Sequence, residues 1–65
     1  MPVIQFEGPQ MTKDQKERLV EAFSREASQI LSIPEEAFVT ILRENNLENI
    51  GNGSKLLSEK IKDRE

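Results

Sequence analysis

Two runs of strand-forming residues flank one helix pattern in a chain of 65 residues, and that arrangement leaves few folds open. Pro2-Val3-Ile4-Gln5-Phe6-Glu7 is the first run. Phe38-Val39-Thr40-Ile41-Leu42, rich in β-branched side chains, is the second. Strand, helix and strand in this order predict a right-handed βαβ unit with parallel strands. Side chains alternate between the faces of a strand, and this poses a problem. Val3 leaves one face of the first strand, Ile4 and Phe6 the other; Val39 and Ile41 leave one face of the second, Phe38 and Leu42 the other. Both faces are apolar, as in parallel sheets covered on both sides, yet one helix covers only one. In a chain this short, another subunit is the simplest cover for the second face and the strand edges.

Local signals set the boundaries. Gly8-Pro9 punctuates the first strand. Thr12 followed by Gln15 makes a capping box, so a helix is expected from Lys13 to Ser32. Leu19, Phe23, Ala27, Ile30 and Leu31 recur at helical spacing with Val20 beside them, and the charged residues between them form the solvated side. Pro34-Glu35-Glu36 reads as a turn before the second strand. Asn45 to Ser54 is polar and glycine-bearing, a region of turns or a short hairpin. A last helix is expected from Ser54 to about Ile61, with Leu56, Leu57 and Ile61 as its apolar stripe and Lys62 to Glu65 as a frayed tail. The whole chain, residues 1–65, reads as one domain.

Composition narrows the chemistry. The chain has no Cys and no His, which removes Ser-His-Asp and Cys-His nucleophile systems and zinc sites built on imidazole or thiolate. It also removes disulfides and zinc as supports for a small core, so oligomerisation is the expected source of extra burial. The net charge is −3, with 12 acidic and 9 basic residues, no basic block and no Tyr or Trp, which argues against nucleic acid as a partner. No apolar run approaches the roughly 20 residues of a membrane span, and the N-terminus lacks the pattern of a signal peptide. The expectation is a soluble cytoplasmic protein with no membrane partner.

Within these limits Pro2 is the foremost candidate for chemistry. Proline alone has a secondary amine as its backbone nitrogen. With Met1 removed, which a small second residue permits, that nitrogen is a rigidly directed terminal base. With Met1 in place it is a tertiary amide and takes no proton near neutrality. An N-terminal amine starts somewhat above neutral pH; apolar surroundings or a nearby cation lower it toward the range where a general base works best. The ordinary alternative is a proline tolerated at a strand start.

Pro2 opening a strand, Thr12-Lys13-Asp14-Gln15-Lys16-Glu17 opening the helix, Pro34, the strand around Val39 to Glu44, and Ile50-Gly51-Asn52-Gly53 leading to Leu56 and Ser58 span most of the chain. Together they resemble the 4-oxalocrotonate tautomerase group of the tautomerase superfamily. The resemblance implies an α+β fold, a β-α-β protomer with parallel strands and a short C-terminal hairpin. It implies that protomers pair their sheets into dimers, and that three dimers form a homohexamer. It implies no metal and no organic cofactor, with Pro2 moving a proton between the carbon and oxygen positions of a small-molecule enol and its conjugated ketone. Better-known members carry an arginine just before the helix and another opening the second strand, which bind the substrate carboxylate and polarise its carbonyl. Met11 and Val39 hold those places here, and Ile50 holds that of an aromatic pocket residue.

Phe6, Val39 and Ile50 are therefore candidates for apolar pocket walls, with packing or an interface as Ile50's simpler role. Arg43 shares the strand parity of Val39, about 13 Å further along, and Lys13 lies in the first helix turn; both are candidates for anion binding, against the default of solvated charges. Arg43, beside Glu44, is also a candidate for a structural pair across an interface. Two functions are consistent with this reading. One is a cofactor-independent tautomerase acting on an enol or unsaturated α-keto acid through Pro2. The other is a non-catalytic subunit of a homo- or heterohexamer.

Overall fold

The computed structural model describes the backbone of residues 1–64 and the side chains of residues 1–60. Strand β1 spans Val3–Gly8, helix α1 Lys13–Leu31 and strand β2 Val39–Glu44. The two strands pair in parallel with Val3 opposite Val39, Gln5 opposite Ile41 and Glu7 opposite Arg43. A hairpin of β3 (Gly51–Asn52) and β4 (Lys55–Leu56) follows, pairing antiparallel, and helix α2 runs over Leu57–Arg64. Among the described residues no helix is long and apolar enough to cross a membrane.

The capping box forms as expected. The Thr12 hydroxyl accepts the Gln15 N–H at 3.1 Å, and the Gln15 side chain accepts the Thr12 N–H at 3.0 Å. At the other end Ser32 takes a left-handed conformation, φ 57°, and its N–H closes the helix on the Ser28 carbonyl. Ser32 is thus the cap and not the last helical residue. A single 3₁₀ turn at Glu35–Ala37 then delivers the chain to β2.

The half-buried face of the sheet carries Ile4, Phe6, Thr40 and Leu42 beneath α1, which presents Leu19, Phe23 and Ala27. Phe6 and Phe23 meet at a centroid distance of 5.6 Å and a tilt of 45°, within the range of favourable aromatic pairs. The opposite face is open, with Val3 49%, Val39 38% and Ile41 37% exposed. This is the uncovered apolar face that the alternation requires.

Several boundaries and burial assignments differ from the sequence expectation. Ile30 and Leu31 are 79% and 54% exposed and do not belong to the core stripe. A helix of 19 residues runs about 28 Å, whereas strands of 6 residues run about 20 Å. The last turn therefore overhangs the sheet. Pairing extends β2 to Glu44 because β1 extends to Gly8 opposite it, and Phe38 stays outside the strand. A second 3₁₀ turn, Leu47–Asn49, is capped by the Asn46 side chain, which accepts the Glu48 N–H at 3.1 Å. Leu56 lies in β4 and is 46% exposed, so it is no part of a helical stripe. Gly53, at φ 67°, makes the tight turn that pairs Lys55 and Leu56 back on Gly51 and Asn52, and this delays α2 to Leu57. Helix α2 runs on through Lys62 to Arg64. The packing expected of Ile61 and the tail at Glu65 lie outside the described residues.

No side chain among the described residues is fully buried. The radius of gyration is 15.4 Å, against about 11 Å for a compact domain of this length. The protomer is an open shape, 44 × 24 × 16 Å, whose apolar surface lacks a cover.

Candidate functional site at the N-terminal end of the sheet

Pro2 stands one residue ahead of β1, and its carbonyl accepts the Val39 N–H at 3.0 Å. That bond is the first rung between the two strands. It fixes Pro2 through its carbonyl and leaves the ring nitrogen outside the ladder, since proline has no N–H to give. Pro2 is half-buried and shares the parity of Ile4 and Phe6. Met1, joined to its nitrogen, is 88% exposed.

The other sequence-predicted residues do not gather around Pro2 within one protomer. Val39 is adjacent through the backbone, but its side chain lies on the open face beside Val3. Phe6 lies on the opposite face, against Phe23. The Phe6 ring also covers Gly8, where an added Cβ would sit 2.7 Å from Phe6 Cε2. Ile50 is half-buried in the C-terminal segment, and its carbonyl accepts the Leu57 N–H at 2.8 Å. Arg43 is exposed on the open face, opposite Glu7. Lys13, also exposed, opens α1. Because α1 runs back along the sheet, Lys13 and Arg43 both lie toward the end of the strands remote from Pro2. A site that joined either cation to Pro2 needs a second subunit.

That remote end holds a cluster that pattern reading missed. Glu44 accepts the Met11 N–H at 2.8 Å through Oε2 and pairs with the Lys16 ammonium at 2.9 Å through Oε1. The Lys16 hydrogen bond first, then the Met11 amide, hold the Glu44 carboxyl below its ordinary range. Glu44 is thus engaged with α1 and its preceding loop within the protomer. Asn45 extends the fastening, donating its N–H to the Gly8 carbonyl at 2.8 Å. Only the first-turn position of Lys16 and the parity of Glu44 with Leu42 hinted at this contact, which joins residues far apart in the chain. Beside it, on the β1 side of α1, lies an open groove of about 740 Å³. Phe6, Met11, Leu19 and Ala22 line it; Pro2 does not.

The strand–helix–strand order, the parallel register and the C-terminal hairpin find their counterpart in a family model described as tautomerase enzyme, which matches residues 2–60. The chain belongs to the tautomerase family. Solved structures agree. DmpI from Archaeoglobus fulgidus is 30% identical with a TM-score of 0.80, over 88% of this chain and 98% of that one. A structure described as a 4-oxalocrotonate tautomerase homologue is 27% identical with a TM-score of 0.78, over 91% and 95%. TomN, described as a 4-oxalocrotonate tautomerase homologue in the tomaymycin biosynthetic pathway, superposes with a TM-score of 0.87 over 98% and 100% of the chains; at 23% identity it speaks for the fold alone. No curated protein matches this sequence significantly. The 4-oxalocrotonate tautomerase-like β-α-β fold of the family is the fold of this chain.

Proposed function

We propose that this tautomerase-family protein is a cofactor-independent keto–enol tautomerase in which Pro2, freed of Met1, is the general base. The observation that carries the reading is the Val39 N–H to Pro2 carbonyl bond. It holds the residue by the atom that chemistry does not need. With Met1 gone, the nitrogen lone pair has a fixed origin and direction. It accepts a proton from the hydroxyl or carbon of an enol or unsaturated α-keto acid and returns it to the other end of the conjugated system. The proton balance closes on Pro2 itself.

In this reading the exposed Val3, Val39 and Ile41 face meets other protomers, and a homohexamer, as a trimer of dimers, completes the pocket. Phe6, Val39 and Ile50 serve as apolar walls, and Arg43 or Lys13 of a neighbour serves as an anion-binding group. An apolar wall disfavours the prolyl cation and so favours the basic form.

The experiment combines intact mass with turnover. Mature protein is expected to begin at Pro2 and to ketonise phenylenolpyruvate or 2-hydroxymuconate. Pro2→Ala lowers that rate by about 10²-fold or more, the size of a lost general base. An unchanged rate in the variant would refute the role of Pro2.

A second reading is favoured by one observation: the places that the family resemblance assigns to arginines hold Met11 and Val39, and the cations Arg43 and Lys13 lie toward the other end of the protomer. On that reading the chain is a non-catalytic subunit of a homo- or heterohexamer. Retained Met1 with no turnover supports it, as does assembly with a related chain.

A further inference from the structure

The chain's asparagines are Asn45, Asn46, Asn49 and Asn52, and only Asn52 is followed by glycine. An asparagine side chain carries an electrophilic amide carbon within reach of the next residue's backbone nitrogen. A side chain on that next residue screens the nitrogen; glycine has none. The hairpin makes this pairing of residues unavoidable. Asn52 pairs with Lys55, so Gly53 and Ser54 form a two-residue loop. Gly53 has φ 67° and Ser54 is not at positive φ, which is a type II′ turn with its glycine at the first central position. Nothing lies within 4 Å of where a Cβ on Gly53 would stand, so the turn's dihedral, and not crowding, requires the glycine there.

The site is open to water: Asn52, Gly53 and Ser54 are all exposed. Among the described residues no hydrogen bond holds the Gly53 N–H. Two restraints act against reaction. The extended backbone of Asn52 in β3 carries the Gly53 nitrogen away from the Asn52 side chain. The Lys60 ammonium, from α2, donates to Asn52 Oδ1 at 2.8 Å and anchors the amide. Strands of two residues each give the hairpin only two paired positions, the kind of element that opens locally without global unfolding.

We propose that Asn52 is a site of spontaneous deamidation, and that Lys60 is the guard that slows it. When the hairpin opens, the deprotonated Gly53 nitrogen attacks Asn52 Cγ. The new C–N bond closes a cyclic imide, the Cγ–Nδ2 bond breaks, and ammonia leaves with the proton that Gly53 gave up. Water then opens the imide. Attack at Cγ restores the main chain with aspartate at position 52. Attack at the main-chain carbonyl routes the backbone through the side chain as an isoaspartyl link. No electrons change hands, and water is the sole co-reactant. The aspartyl product turns the Lys60 hydrogen bond into an ion pair. The isoaspartyl product lengthens the backbone inside β3 and takes Asn52 and Lys55 out of register. This chemistry goes beyond the proposed function and needs neither Pro2 nor an oligomer.

The test is to age the whole protein in warm, mildly alkaline buffer and follow it by isoelectric focusing and intact mass. The parent is expected to build up an acidic form with one negative charge added to its formal −3. Fragmentation of the tryptic peptide 44–55 places the change at Asn52, in aspartyl and isoaspartyl forms, and Asn52→Gln loses it. Lys60→Met is expected to speed the conversion several-fold, the worth of one exposed hydrogen bond to an ammonium. Lys60→Arg keeps a donor and the slow rate, which separates loss of the bond from damage to α2. An acidic form that maps to Asn45, Asn46 or Asn49, or a parent that stays unconverted while the free tryptic peptide reacts to completion, overturns the site. A rate unchanged in Lys60→Met overturns the guard.

Discussion

Replacing Thr40 by valine is expected to stabilise the protein. Thr40 pairs with Ile4 on the helix-covered face, and its Oγ1 is shut from solvent with no hydrogen-bond partner among the described residues. A buried hydroxyl left unmet costs about 1–3 kcal/mol. Valine keeps the branched shape, exchanges the hydroxyl for a methyl, and suits a strand. We expect a gain of about 1 kcal/mol, toward the lower end because the residue is only half-buried. At about 2.1 cal/mol/K per residue, this moves the melting midpoint of a chain of 65 residues up by about 7 °C. Thr40→Ser is the matched control. It keeps the unmet hydroxyl and loses a methyl, so it falls by about 0.8 kcal/mol. Urea titrations followed by circular dichroism, at one protein concentration, measure both. If valine destabilises while serine is tolerated, Oγ1 has a partner in the assembled protein and the reasoning fails.

Glu44→Gln tests the carboxylate that fastens the Met11 loop. The folded pKa of Glu44 lies below 4.5, so its stabilising contribution is present above that value and is lost as pH falls through the folded pKa. The parent is therefore more stable than the variant at pH 7, and the two urea midpoints converge once the pH has fallen below the folded pKa of Glu44; a gap that persists in strong acid contradicts the assignment. Ser32→Gly relieves a left-handed cap at φ 57° and is expected to raise stability by about 0.5–1 kcal/mol in the same titration. A loss shows that the Ser32 side chain contributes more than its backbone strain costs.

What was legible in the sequence is what local chemistry dictates. The Thr12–Gln15 box is a reciprocal pair three residues apart, so its residue types specify its geometry. The two-faced strands foretold the open Val3, Val39 and Ile41 surface, because alternation follows from the pleat alone. Ile30 and Leu31 were misassigned because periodicity reports which side a residue takes, not whether the sheet beneath reaches that far. Leu56 failed for a related reason: a hairpin of two-residue strands is too short to leave a pattern of its own. The Lys16–Glu44–Met11 cluster left only faint local hints because it joins positions far apart in the chain. For the site, Pro2 and its neighbour Val39 follow from parallel pairing. The placing of Arg43 and Lys13 toward the opposite end required the direction of α1 and the register of β2 together.

The bond from Val39 to the Pro2 carbonyl has one more consequence. The ladder begins at that carbonyl, and among the described residues no hydrogen bond reaches Met1. Removing the leading methionine then takes nothing from the folded structure. Within one protomer the processed and unprocessed chains keep the same hydrogen bonds and differ at one amine, so circular dichroism is expected to scarcely tell them apart. On the proposed role of Pro2, a preparation can be perfectly folded and yet be a mixture of base and amide, so its specific activity would report the history of its N-terminus as much as its sequence.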